Sequence, residues 1–244
     1  EFERFHAFLT ASFPLAHERL KKEIIADHSL LYEWKGTDNQ LKPILLVAHM
    51  DVVPVDKATE SSWRRPPFSG QVADGYIWGR GTMDDKASVL GILEAVESLL
   101  SENYRPKRTI FLAFGHDEEV DGHNGAAKIA ALLRQRNVAL ELVLADGLNI
   151  LRGVISGVAA PVALVGIGEK GYVSLKLSAQ ATGGHSSIPP ADGAIIVLSR
   201  AIQKLAASPF APRISGATRQ MLEFLGPEMS WSRKLALANL WLFE

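Results

Sequence analysis

Three short acidic motifs carry the chemistry this sequence offers. His49-Met50-Asp51 closes the apolar run Ile44-Leu45-Leu46-Val47-Ala48. That run has the length and composition of a buried strand, and strand residues two apart share a face. His49 and Asp51 therefore point the same way. In that arrangement a metal-ligating imidazole has its second ring nitrogen fixed by a carboxylate. A lone His-x-Asp is more often a satisfied histidine at a strand end, but here two further acidic motifs follow, each behind an apolar segment. In the second, Gly79-Arg80-Gly81-Thr82-Met83-Asp84-Asp85-Lys86, the acids precede Val89, Ile92, Leu93, Val96, Leu99 and Leu100, which recur at helical spacing. Carboxylates at a helix start cap free N–H groups, which accounts for one of Asp84 and Asp85. Two of them on one loop can also hold a divalent cation, and one can bridge two ions. The third, His116-Asp117-Glu118-Glu119, ends the apolar stretch 109–115. Three adjacent carboxylates repel one another unless a nearby cation turns the repulsion into attraction.

The elements that must position these groups follow from the hydrophobic pattern. Strand-like runs at 44–48, 109–115, 142–144 and 162–167 alternate with helix-like stretches at 85–100 and 124–136. This predicts an α/β fold, with a mixed, largely parallel sheet and helices on both faces. In such sheets, sites form outside the carboxyl ends of the strands. His49, the Glu118 region and Asp146 each come just after a strand, and Asp84 joins them from a neighbouring loop. Further on, 171–181 alternates apolar and polar residues, which predicts a half-exposed antiparallel strand. Residues 191–206 read as a helix preceded by Pro189-Pro190.

Composition narrows the class. The chain has 244 residues, 47% of them hydrophobic, enough for one large or two small cored domains. Lys plus Arg number 26 against 27 acidic residues, with no basic stretch, so nucleic acid is set aside as a partner. With no cysteine, disulfides and thiolate metal sites are excluded. No apolar run reaches the ~18 residues that would span a bilayer. A sugar- or nucleotide-binding domain is disfavoured by the lack of a phosphate loop. The chain opens at Glu1 rather than Met, which leaves room for a targeting segment upstream and for a secreted, periplasmic or vacuolar/lysosome-like location.

The strings H-M-D-V-V-P, G-R-G-T-M-D-D-K, G-H-D-E-E and G-H-S-S-I-P-P resemble the dinuclear zinc metallopeptidase family of carboxypeptidase S, Gly-X carboxypeptidases and aminoacylases. Trp63-Arg64-Arg65-Pro66-Pro67-Phe68-Ser69-Gly70, Glu169-Lys170-Gly171 and Trp241-Leu242-Phe243-Glu244 are similar to its branch of carboxypeptidase S and N-fatty-acyl-amino-acid synthase/hydrolases. The resemblance implies a zinc-exopeptidase-like catalytic domain at 1–171 and, at 172–244, part of an inserted α+β lid, through which a homodimer can form. It implies hydrolysis of an amide bond in peptides or N-acyl amino acids, with two Zn2+ ions per complete site. The ligands would be His49, Asp84 (bridging), Glu119 and Asp146. Glu118 would be the general base, Asp51 would orient His49, and His185 of the lid would bind the substrate carbonyl. His116 stays outside the ligand set, and His6, His17, His28 and His123 read as surface residues.

Two departures from the family pattern are visible. At Val143-Leu144-Ala145-Asp146-Gly147 one alignment puts Ala145 at the ligand position and another puts Asp146 there. Asp146 is preferred because the strand ends here and the backbone can turn. No histidine follows His185, whereas the resemblance expects a last histidine ligand, so the chain reads as an N-terminal fragment. Two readings stay open: a metal-dependent amidohydrolase, favoured by the Glu118-Glu119 pair, and an inactive fragment with weak metal or partner binding, favoured by Ala145 and the absent histidine.

Overall fold

The computed structural model describes residues 1–147, 149–168, 171–185, 187–188 and 190–242. Glu169 and Lys170 of one family-like string, Ser186 beside the lid histidine, Pro189 before the predicted helix, and the terminal Phe243-Glu244 lie outside the described residues. The chain divides into two compact units, Glu1–Asp146 and Gly147–Glu244. This division into units is separate from the expected assignment of 1–171 to catalysis and 172–244 to a lid.

The first unit runs α1 (Phe2–Ser12), α2 (Pro14–Arg19), β1 (Lys21–Ile25), β2 (Ser29–Trp34), β3 (Ile44–His49), β4 (Gln71–Ala73), β5 (Tyr76–Trp78), α3 (Lys86–Ser101), β6 (Ile110–Gly115), α4 (Ala126–Gln135) and β7 (Leu142–Leu144). The main sheet has the order β1-β2-β6-β3-β7. β3 pairs in parallel with both β6 and β7, while β2 pairs antiparallel with β1 and with β6. Parallel neighbours need a crossover, and α3 and α4 supply the two. The sheet is thus mixed, and the antiparallel β1–β2 pair goes beyond what the strand pattern predicts.

Side-chain alternation builds a core on each face. Leu30, Tyr32, Ala48, Leu112 and Phe114 turn to one side and meet Leu9, Ala16, Val89, Leu93 and Val96 of the helices α1 to α3, with Phe13 from the junction of α1 and α2. Leu31, Leu45, Phe111 and Ala113 turn to the other and meet Ile129 and Leu133 of α4. Each fully buried Leu, Val or Phe here adds about 1.5–3 kcal/mol, which fixes the strand register because a slip of one residue would exchange the faces. Helix α2 is pinned to α3 by a charge: Leu15 and Ala16 donate their N–H groups to the Glu97 carboxylate at 2.8 Å each. A carboxylate is favoured at that end of the helix dipole.

In the second unit, β8 (Ile150–Leu151) pairs antiparallel with β9 (Val162–Ala163), and α5 (Ala194–Ala207), α6 (Gly216–Leu225) and α7 (Trp231–Ala238) follow. Arg233 donates to the carbonyl and the hydroxyl of Ser156. Two expectations are corrected here. The strand expected over 162–167 is confined to Val162–Ala163, where its one partner is two residues long. The strand expected over 171–181 does not form: among the described residues no neighbouring strand takes up its backbone groups, and Val173, Leu175 and Leu177 are all exposed. Alternation specifies which face a strand would bury and cannot supply a partner for its N–H groups. Among the described residues, no helix is long and apolar enough to cross a membrane.

Candidate metal centre

The strand order explains how the acidic motifs meet. β3 lies between β6 and β7 and parallel to both. The residues just past the carboxyl ends of these strands therefore share one edge, with His49 in the middle. Its ring is almost wholly buried, with 3% of the side chain exposed. Nδ1 faces Asp51, 3.1 Å from its carbonyl oxygen and 3.3 Å from carboxylate Oδ1. Nε2 faces Asp84 Oδ1 at 3.0 Å, with Glu118 Oε2 and Asp146 Oδ2 each at 3.9 Å. Donor atoms of His49, Asp84 and Asp146 lie within 4.8 Å of one another, and so do those of His49, Glu118 and Glu119. The predicted residues Asp51, Asp84, Glu118, Glu119 and Asp146 are thus gathered around one imidazole. Of the residues 145 and 146, the latter brings a carboxylate to it.

The supporting contacts are local and specific. After β6 the chain makes one 3-10 turn over Glu118–Val120. Asp51 holds this turn: its carboxylate accepts the Glu118 N–H at 3.2 Å and the Glu119 N–H at 3.0 Å. Asp117, the buried first acid of its motif, instead accepts the Asn124 N–H at 2.6 Å and serves the loop. Asp85 is buried and accepts the His49 backbone N–H at 3.0 Å. Of the two aspartates, one of which is expected to cap α3, Asp85 stands at the N-cap position but makes no side-chain cap bond to the helix N–H groups. It ties the loop before α3 to the end of β3, a role the adjacency of two aspartates could not assign. At Gly81, with φ +83°, an added Cβ would run into the Val52 side chain, so the loop that presents Asp84 requires glycine there.

Electrostatics concentrate negative charge around the imidazole. Burial pushes the Glu118 carboxyl up, and the charges of Glu119, Asp146 and Asp51 push the same way against the attraction of His49. Burial also raises Asp85, helped by the charge of Asp146. For His49 burial opposes protonation, but the hydrogen bond to Asp84 and the charges of Asp51, Asp85 and Asp146 outweigh it and raise the pKa. Among the described residues, no Lys or Arg forms an ion pair with Asp84, Glu118, Glu119 or Asp146. An imidazole among several carboxylates, without a compensating basic side chain, is a donor set that fits a hard or borderline divalent cation.

The other histidines fall elsewhere. His185 lies in the second unit, exposed, with Nδ1 2.7 Å from the Ser187 hydroxyl. His116 Nδ1 pairs with the Ser29 hydroxyl at 2.7 Å, and its ring packs on Phe2 and His28. The surface reading holds for His123 and is corrected for three others: His6 and His28 are half-buried, and His17 bonds the Phe13 carbonyl and the Tyr32 hydroxyl. These three contact the N-terminal helices and β2, whose packing local sequence does not reveal.

Comparison with known proteins assigns the family. A family profile described as Peptidase family M20/M25/M40 matches residues 45–222, and the chain belongs to that family. It is therefore a chain of the metal-dependent peptidases and related amidohydrolases. Among curated proteins it is 49% identical to the probable carboxypeptidase S-like 2 of Dictyostelium discoideum, over 100% of this chain and 47% of that protein. It is 43% identical to the N-fatty-acyl-amino acid synthase/hydrolase PM20D1 of Mus musculus, over 98% and 48%. To carboxypeptidase S of Saccharomyces cerevisiae it is 40% identical, over 86% and 36%. The chain thus spans about half or less of the length of the relatives it matches.

Proposed function

We propose that this chain carries the catalytic half-site of a zinc-dependent hydrolase that cleaves the amide bond of peptides or N-acyl amino acids. The observation that carries the reading is the meeting of two donor groups on one buried imidazole at the carboxyl ends of β3, β6 and β7. His49, Asp84 and Asp146 would hold one Zn2+, and Glu119 with Asp84 a second. Bound zinc supplies a water of lowered pKa and polarisation of the scissile carbonyl. Asp51 would hold His49 as the tautomer with Nδ1 protonated, leaving Nε2 free to serve as the ligand. Glu118, half-exposed beside the cluster and raised in pKa, takes the proton of the attacking water and returns it to the departing amine. The names of the matched relatives support a substrate with an acyl or peptidyl group on an amino acid. Residues 1–171 then form the catalytic part. Residues 172–244 belong to a lid, in which His185 would meet the substrate carbonyl and through which a homodimer would form. Sedimentation tests the dimer, and fractionation of the tagged protein tests the secreted, periplasmic or vacuolar location.

Glu118→Gln separates base from ligand. Turnover of blocked dipeptides and N-acyl amino acids should fall by about 10²–10⁴-fold while zinc content stays at the wild-type level. Loss of zinc in parallel with activity would show that Glu118 is a ligand and that the roles are wrong. Hydrolysis of esters or phosphates alone would overturn the substrate class.

A further inference from the structure

The metal-site reading does not use Lys86, the last residue of the Gly79–Lys86 motif. Its ammonium donates to the Met50 carbonyl and lies 5.2 Å from the centre of the Phe5 ring. Met50 is buried between His49 and Asp51, and its own N–H donates to the Gly115 carbonyl at 2.8 Å. The carbonyl that Lys86 holds belongs to the peptide unit leading into Asp51. Rotation of that unit would swing Asp51, and Asp51 does two things at once: it faces His49 Nδ1 and it accepts the N–H groups of Glu118 and Glu119. One ammonium thus braces the support of both donor groups. Phe5 lies on α1, outside the family-matched residues 45–222. It covers one side of the ammonium with a ring face, where the negative face of the ring attracts the charge.

We propose that Lys86 is a positioning residue of the metal centre. It fixes the Met50–Asp51 peptide and through it the His49 ring and the Glu118–Glu119 turn, and Phe5 makes the N-terminal helix part of that support. The proposal rests on the metal-site reading above. A plain structural role, tethering α3 to the end of β3, would stabilise the fold without setting the ring of His49, and this is the distinction to be tested.

Three variants of the 244-residue chain suffice: Lys86→Met keeps the stem and removes the donor, Lys86→Arg keeps a donor, and Phe5→Leu removes the ring. Zinc affinity is read by competition with a chromophoric chelator, and the His49 ring nitrogens by 15N NMR without metal, at a pH where the ring is neutral. Supporting groups of this kind are worth about 10–100-fold in metal affinity. At one remove further, Lys86→Met should weaken zinc about tenfold and shift the His49 Nδ1 signal toward a tautomer mixture. Lys86→Arg should recover to within about threefold, and Phe5→Leu should lie between. If Lys86→Met lowers the melting midpoint but leaves both zinc affinity and the His49 signals unchanged, the lysine only tethers the helix and the proposal is overturned. Should Lys86→Met not fold, Phe5→Leu decides: wild-type affinity and ring signals in that variant overturn the proposal. Failure of the wild-type chain to bind zinc would count against the metal reading alone, since the metal-free His49 signals still decide the role of Lys86.

Discussion

Replacing Asp51 with asparagine removes one charge and changes little in shape, and its effect can be worked from the contacts. The carboxylate accepts the Glu118 and Glu119 N–H groups at 3.2 and 3.0 Å and stands 3.3 Å from His49 Nδ1. An asparagine side chain has one acceptor oxygen, so it can serve one of these donors well. Its NH2 group must then face a second N–H, donor against donor. Hydrogen bonds to a charged acceptor are worth about 1.5–3 kcal/mol, and a buried donor left unpaired costs about 1–3 kcal/mol. Asp51 is 14% exposed and Glu118 is 56% exposed, so water can repair part of the loss on the Glu118 side. The metal-free chain should therefore lose about 1–2 kcal/mol, the lower end of that range, by urea unfolding. Zinc binding should suffer more specifically, because His49 Nδ1 keeps only the Asp51 backbone carbonyl at 3.1 Å and loses the carboxylate at 3.3 Å that helps to fix the ring. Loss of such a carboxylate costs about 10–100-fold in affinity, or roughly 1.4–2.8 kcal/mol. Calorimetric titration of the chain with zinc, before and after Asp51→Asn, checks both figures. Affinity within twofold of wild type would refute the claim that Asp51 orients His49, whatever happens to stability.

Three further outcomes are expected. His49 has a pKa raised above 6.5, so its contribution to metal-free stability is fully present below 6.5 and is lost as pH rises through the raised value. Zinc affinity should move the opposite way, climbing with pH as the proton leaves Nε2, and His49→Gln should flatten both profiles between about pH 5 and 8. Gly81→Ala must place a Cβ against Val52 at a positive φ, so it should displace the Asp84 loop and weaken zinc at least about tenfold; unchanged affinity would show that the loop can yield. Glu23, held down to about 2 by the paired guanidinium of Arg136, gives stability that is fully present above 4.5 and is lost as pH falls from there through about 2. Both side chains are partly exposed, so Glu23→Gln should cost less than about 1 kcal/mol at neutral pH, shrinking in high salt.

The site was legible because all of its parts except Asp84 end a strongly apolar segment. His49 ends β3, Glu118 and Asp146 follow β6 and β7, and parallel strands necessarily bring their carboxyl ends to one edge. What the pattern could not give is the order of the strands, and that order makes His49 the shared member of both donor groups. The two adjacent aspartates were equally opaque. Asp84 and Asp85 differ in function only because the loop buries one of them against the His49 N–H. The N-terminal elements escaped for a different reason. β1 is Lys-Lys-Glu-Ile-Ile, without alternation, and its turn to β2 places Ala26 and Asp27 at positive φ with no glycine to announce it. The β4–β5 hairpin did leave a signal, since Asp74-Gly75 takes positive φ at both residues and is the dipeptide such turns prefer.

The contrast between 109–115 and 171–181 shows where sequence patterning stops being sufficient. Both stretches are apolar enough to be strands. The first sits between β2 and β3, so its N–H and C=O groups are taken up on both sides and its side chains enter both cores. The second has alternation but no neighbouring strand among the described residues, and it stays irregular with its apolar residues in water. A strand is a property of a pair. The prediction of β6 succeeded because its partners come from the same 146 residues that form the first unit. The metal centre shares this advantage: every residue that His49 faces is supplied within that unit. Its geometry can therefore be tested on the chain alone, whatever else substrate turnover requires.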